Sequence, residues 1–396
     1  MKTSARPLRE SERLSWVDAS RGLAILGIFM VNVPAFNAPY FLYGGAEQFW
    51  PSSISHFVQS FIDIFFQASF YTLFSFMFGF GMQMMKERLD DKAIPYRPVI
   101  FRRLLVLIGF GLVHAFLIWH GDILLSYGVF GMVLFFFFSA KPKTLVNWAV
   151  GMLAVLVVPF TLSLYAVRDQ LQRTVNTPAI QQAKANYGEG SIMDIWQQNW
   201  VDWSYVNSVA NLPFLALSLI PMFLLGMFMC KKRWLHEPSD HLKAIKTVWV
   251  VTGVLFIAFK AGPYINGNPQ WMQLLQDNVG GTASAIFYVL SITLLFRTKR
   301  GVRLVHPLTW VGKMSLTNYI FQSLFSFLLF YSVGFGLYGQ VSPLISLIIV
   351  LAVFTLQVFA SKAWLQKYKY GPLEWLWRTL TYGKRQPLKR KQSAVS

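Results

Sequence analysis

Apolar residues fall along this chain in blocks of about twenty, the length that crosses a hydrocarbon layer as an α-helix. Ten such blocks can be drawn, over 17–38, 60–85, 101–120, 122–140, 144–167, 204–230, 243–263, 276–296, 314–333 and 342–362. They predict an all-α fold, a polytopic transmembrane helical bundle of about ten spans, and an even number of crossings brings both termini to one side. The same pattern divides the chain into an N-terminal segment 1–16, an N-terminal transmembrane half 17–167, an extracytoplasmic cap 168–203, a C-terminal transmembrane half 204–362 and a basic tail 363–396.

Composition agrees with this reading. Of the 396 residues, 55% are hydrophobic and 13% charged, the balance of a membrane protein rather than of a water-soluble domain. A formal charge of +19 would point a soluble protein toward nucleic acid, but the placement of the charges reverses that inference. Thirty-one of the 36 Lys and Arg residues fall in the termini and loops of one side, against Arg168, Arg173 and Lys184 on the other. This is the positive-inside signature, and it predicts cytoplasmic termini and no nucleic-acid partner. The tail "KYKYGPLEWLWRTLTYGKRQPLKRKQ" interleaves aromatic and basic residues, a mixture suited to an anionic inner leaflet. The first 16 residues hold no apolar run, and the run after them has no small-residue cleavage site, so the first span is expected to stay uncut. The lone cysteine, Cys230, excludes an intramolecular disulfide and reads as a buried thiol.

Ionisable and amide side chains at membrane depth are costly and therefore informative, at roughly 3 kcal/mol for a charge. In the first span, Asp18 and Arg21 stand three apart and can pair on one face. Asn32 follows Arg21 by eleven positions, within about 20° of the same stripe. The third span repeats the spacing, with Arg103, beside Arg102, at the cytoplasmic entrance and His114 eleven positions on. In "WHGDIL" a turn at Gly121 is expected to bring His120 and Asp122 together at the outer boundary. Such a pair can move a proton, or the carboxylate can cap the next helix. A third stripe comes from Ser315, Asn318 and Gln322 in "GKMSLTNYIFQS", which serves either a polar cavity or interhelical amide contacts. Glycines 79, 81, 109, 111, 128 and 131 lie within spans and are expected to let helices approach closely. No phosphate-cradling glycine loop, metal-spaced His or Cys cluster or serine elbow is present, so no metal site and no bound cofactor are expected.

Taken together, "DASRGLAILGIFMVNV", "LFSFMFGFG", "FRRLLVLIGFGLVHAFLIWHGDILLSYGVFG", "GKMSLTNYIFQS" and "GPLEWLWRTLTYG" resemble the YeiB family of bacterial multi-pass membrane proteins, over nearly the whole chain. That family in turn resembles the transmembrane acyltransferase superfamily. The resemblance implies a bacterial inner-membrane location and an acyltransferase-like core in the first half. In the polysaccharide O-acyltransferases the first helix carries Asp, then Arg-Gly, then a catalytic histidine, and the matching positions here are Asp18, Arg21, Gly22 and Asn32. An asparagine can orient an acceptor or stabilise an oxyanion but cannot serve as general base. The expected base is therefore His114, with Asp122 and His120 next. Arg102 and Arg103 would meet the phosphates of a cytoplasmic acyl-CoA, and Asn32, Asn318 and Gln322 would face the oxyanion of a cell-surface hydroxyl acceptor. Two other classes fit the same polar stripes: a transporter or flippase of an amphipathic or anionic small molecule, and an accessory membrane protein without catalysis.

Overall fold

A computed structural model describes residues 13–171 and 173–390. Most of the segment 1–16 and the last residues of the basic tail lie outside the described residues. Helix α1 (Ser15–Asn37) is followed by the single turns α2 (Tyr40–Tyr43) and α3 (Ala46–Phe49), then by α4 (Ser53–Phe65) and α5 (Ser69–Asp90). Next come α6 (Tyr96–Leu117), α7 (Leu124–Gly131) with a 3-10 extension to Phe136, and α8 (Pro142–Ala166). Helices α9 (Thr177–Gly188) and α10 (Ile192–Val206) form the cap. The second half holds α11 (Leu212–Lys231), α12 (Leu242–Phe256), α13 (Gly262–Ile265), α14 (Gly281–Leu295), α15 (Lys299–Lys313), α16 (Ser315–Phe330), α17 (Pro343–Lys367) and α18 (Pro372–Tyr382). No strand forms among the described residues.

Eight helical segments among these are long and apolar enough to cross a bilayer, and the shorter apolar helices Leu124–Phe136 and Ser315–Phe330 complete the ten that periodicity predicts. The chain is a multi-pass membrane protein with an inverted surface: Val155, Ile348, Leu356 and Phe359 all stand more than half exposed, as side chains facing lipid must. Arg13 and Arg378 line the same cavity, so both ends of the described chain meet at one end of the bundle, while α9 and α10 cover the other.

The structure departs from the predicted boundaries in three places, the first being the block 60–85, which is broken between Phe65 and Ser69 with Ala68 at positive φ. The block 204–230 is not one helix, because α10 stops at Val206 and α11 starts anew at Leu212 with Pro213 in its first turn. Proline fits that position and breaks a helix interior. Helix α10 therefore belongs to the cap, started by a capping box in which Ser191 and Asp194 satisfy each other's backbone donors. The stretches read as a basic loop and tail also fold, into the amphipathic helices α15 and α18.

Reciprocal glycines set the closest crossings. A Cβ added at Gly79 would overlap the Phe223 carbonyl, and one at Gly226 the Phe76 carbonyl, so α5 and α11 touch backbone to backbone. Gly22 and Gly312 do the same for α1 and α15, against the carbonyls of Leu308 and Asp18.

Candidate active site

Helix α6 ends one turn after His114, whose carbonyl accepts the amides of Ile118 and Trp119 at 3.1 and 2.8 Å. The chain runs irregularly to Ile123 and re-enters helix at Leu124. Asp122 fastens this re-entry: its Oδ2 accepts the Leu125 amide at 2.6 Å, while Oδ1 lies 2.8 Å from His114 Nδ1. Pairing and capping, alternatives on sequence grounds, are both performed by one carboxylate. Its imidazole partner is His114 rather than the expected His120. Across the ring, His114 Nε2 lies 2.8 Å from Ser323 Oγ on α16. Both the His114 and Asp122 side chains are wholly inaccessible and Ser323 is buried. An ionised Asp122 can only accept, which places the proton on Nδ1 and turns Nε2 toward the Ser323 hydroxyl as an acceptor. This is the carboxylate, imidazole, hydroxyl order that activates a serine in unrelated hydrolases.

His120 turns away into the cap. Its Nδ1 lies 3.2 Å from the Tyr187 hydroxyl and 3.5 Å from Asp202 Oδ2. The buried Asp202 accepts from Tyr187 at 2.8 Å, Tyr43 at 2.6 Å and Gln198 at 2.7 Å. Burial lowers the His120 pKa below its ordinary value against the pull of Asp202, and it raises that of Tyr187 well above the ordinary phenol value.

On the side of the relay facing the chain ends lies a cavity of about 170 Å³. Arg13, Arg21, Arg88, Arg103 and Arg378 line it, and Tyr127, Ile123 and Tyr319 also contribute to its wall. The Tyr319 ring packs against the imidazole, centroids 5.0 Å apart, so one aromatic ring separates cavity from relay. Arg103 and His114 stand eleven positions apart on α6, a rise of about 16 Å along the helix. Between them the lining includes Phe74, Met77, Met82 and Leu107, so the passage is cationic at one end and apolar beyond it.

Asp18 does contact Arg21, but at 3.7 Å; its two oxygens are taken bidentately by Arg13, at 2.7 and 2.9 Å. Arg21 is thereby left toward the cavity, opposite the bare Cα of Gly81. Arg103 lines the cavity with its guanidinium 3.7 Å above the Trp377 ring, whereas Arg102 is exposed near Gly383 and takes no part in the lining. Arg88 donates to the Tyr382 hydroxyl at 3.1 Å, and its buried Nε meets no acceptor among the described residues. Sequence reasoning passed over Arg13, Arg88 and Arg378 because each also counts as a topology charge. Ser323 was passed over because a helical serine can satisfy itself on the preceding turn, and this one does lie 3.3 Å from the Tyr319 carbonyl.

The third stripe splits. Ser315 lines the cavity. The Asn318 amide donates to Ser361 at 3.0 Å and the Gln322 amide to Gln357 at 2.8 Å, an interhelical ladder with α17. Asn32 sits outside the cavity lining, and both ring nitrogens of His114 have other partners. The two late motifs are joined by Glu374, which accepts from the Leu316 amide at 2.7 Å and from both the amide and hydroxyl of Thr317, at 3.0 and 2.6 Å, capping α16. Burial raises the Glu374 pKa while these bonds oppose the rise. Among the described residues no three His, Cys, Asp or Glu side chains are grouped to hold a metal.

Comparison with known proteins assigns the chain to a family. Residues 229–384 match the family described as protein of unknown function (DUF418). Over 98% of its length the chain is 37% identical to the uncharacterized protein YxaH of Bacillus subtilis, covering 99% of that protein. It is 30% identical to the uncharacterized protein YeiB of Escherichia coli, with 93% of this chain and 96% of that protein aligned. The chain belongs to the YeiB family. A third relative of this YeiB-family chain, an uncharacterized 39.9 kDa protein of Bacillus acidopullulyticus, is 27% identical over 98% of the chain and 99% of its own length. No solved structure matches the chain significantly. The DUF418 match covers α15, α16 and α18, and so takes in Ser323, Tyr319, Glu374 and Arg378.

Proposed function

We propose that this YeiB-family protein is a membrane acyltransferase that takes an acyl group from an acyl-CoA-type donor on the cytoplasmic side and passes it to a hydroxyl acceptor on the far side. The observation that carries the reading is the Asp122–His114–Ser323 relay, set one aromatic ring away from an arginine-lined cavity. Arg21, Arg88, Arg103 and Arg378 supply guanidiniums for the donor's phosphates, which Arg binds in planar, bidentate fashion. The apolar stretch beyond them suits an acyl arm, and turning of the Tyr319 ring opens the way to Ser323. His114 Nε2 takes the Ser323 proton as Oγ attacks the thioester carbon, the C–S bond breaks, and the proton passes to the departing thiolate. In the second half His114 takes the proton of the acceptor hydroxyl, the acceptor oxygen displaces Ser323 Oγ from the acyl carbon, and the serine regains its proton.

The charge asymmetry of the loops supports a bacterial cytoplasmic membrane location with both termini inside, and the basic, aromatic end of the chain suits contact with an anionic inner leaflet. Purified protein given acetyl-CoA labelled in the acetyl group is expected to release or transfer label, and to carry it covalently when acceptor is withheld. His114→Ala and Ser323→Ala are each expected to abolish this. Absence of CoA binding at millimolar concentration would refute the proposal. The arginine-lined cavity also fits an anionic cargo moved without bond making; label counterflow into proteoliposomes with no turnover would favour that transporter.

A further inference from the structure

A second cavity, about 580 Å³, opens at the cap end and shares no lining residue with the arginine-lined one. Beneath it Lys260 is wholly buried, its Nζ 3.6 Å from Asp277 Oδ1 and 3.7 Å from Asp63 Oδ1. These are ion-pair distances, and the ammonium finds no acceptor at hydrogen-bond range among the described residues. Lys260 and Asp277 both stand on π-helical turns, Ile257–Ala261 and Leu275–Gly280, which pack against each other. Such wide turns are rare and recur at functional sites, and a buried lysine with two carboxylates at membrane depth is costly to keep for packing alone.

Three more buried polar atoms around this cavity lack a partner among the described residues: Gln59 Nε2, Gln270 Oε1 and the Tyr40 hydroxyl. Two of the four orphans only donate, one only accepts and one does both. A ligand complementary to them must present several groups that donate and accept at short spacing, which is the chemistry of a polyhydroxylated chain or ring. Charge narrows the class further. Asp63, Asp277 and Glu47 outnumber Lys260 and Arg173 by one, and Glu47 is already paired with Arg173. The excess is negative and disfavours an anion, while the ammonium of Lys260 occupies the position between the carboxylates that a metal cation would need.

We propose that this cavity is a binding site for a neutral or singly cationic polyhydroxylated small molecule, with Asp277, Gln59 and Gln270 as its ligand-contacting groups and Lys260 as the buried charge that holds Asp63 and Asp277 in place. Binding is read without turnover, so the outcome is independent of the acyl-transfer reading above. The full chain in nanodiscs is titrated with radiolabelled glucitol, its amino derivative glucamine, and glucitol phosphate. Glucamine is expected to bind at least as tightly as glucitol, and the phosphate least. Asp277→Asn, nearly isosteric, is expected to weaken glucamine by about tenfold or more, the loss of a charge-assisted hydrogen bond, and to lower the melting temperature because Lys260 keeps only Asp63 as a partner. Gln59→Leu, at the rim and independent of the ion pair, is expected to weaken glucitol and glucamine alike. No saturable binding of either probe, tightest binding of the phosphate, or affinities unmoved in both variants would each overturn the proposal.

Discussion

The carboxylate of Asp122 reaches Nδ1 of His114 at 2.8 Å, eight residues back, and passes over His120 only two residues away. Neighbours in sequence are separated because the chain between α6 and α7 is not helical: His120 leaves toward the cap while Asp122 turns into the bundle to cap α7. In the proposed transfer the bond settles which tautomer His114 presents to Ser323. Asp122→Asn retains an acceptor for the Leu125 amide but lets the amide donate to Nδ1, which forces the proton onto Nε2 and removes the base. Turnover is expected to fall about a thousandfold or more, with the helix cap and melting temperature nearly intact; single-turnover kinetics beside circular dichroism separates the two effects.

Arg13 and Arg21 share Asp18 unequally, and the inequality assigns them different work. Arg13→Ala leaves a buried carboxylate with only the 3.7 Å contact to Arg21, and a loss of about 1–3 kcal/mol in stability is expected. Arg21→Leu leaves the bidentate pair whole, so folding should persist while the KM for acyl-CoA rises about tenfold or more, the cost of one charge-assisted contact to phosphate. Equal losses of stability in both variants would show that Arg21 is structural.

How far the chain was legible follows from which interactions are local. Each crossing needs a long apolar run, so the ten spans and their order could be read directly, and His114 and Asp122 stood out as ionisable groups in lipid. The break before Leu212 was passed over although Asn207, Ser208 and Asn211 ahead of Pro213 are turn residues, because the flanking segments are apolar enough for a window of about twenty residues to bridge them. Helices α15 and α18 were hidden by a charge pattern that reads as loop, yet Leu308 and Trp377 pack inward from them. The stripe of Ser315, Asn318 and Gln322 was visible, but periodicity fixes only that residues share a face, not which neighbour the face meets. Gln357 and Ser361 on α17 answer that for the two amides. Ser323, lying one residue beyond the stripe, is the residue that meets His114.

Backbone contact between α5 and α11 depends on two bare positions. Gly226→Ala would drive a methyl group into the Phe76 carbonyl, and because neither partner is a flexible side chain, about 1–3 kcal/mol should be lost to overpacking. Gly109→Ala adds its methyl group where no atom lies within 4 Å and is expected to be neutral. Thermal denaturation in detergent, followed by size exclusion, distinguishes a packing glycine from one that merely occupies a span.

The cap carries its own pH dependence through His120. Its folded pKa lies below the ordinary 6.5, first because burial penalises the imidazolium, with Asp202 opposing. A group whose pKa is depressed on folding contributes its stabilisation above the unfolded value and loses it as pH falls toward the folded one. Docking of α9 and α10 should therefore be firm above about pH 6.5 and weaken steadily below it. Hydrogen exchange of residues 177–206 is expected to quicken as pH drops through this window, after correction for the intrinsic rate, and His120→Gln should flatten the response while keeping a donor for Tyr187. An acid-induced opening that survives in His120→Gln would place the titrating group elsewhere.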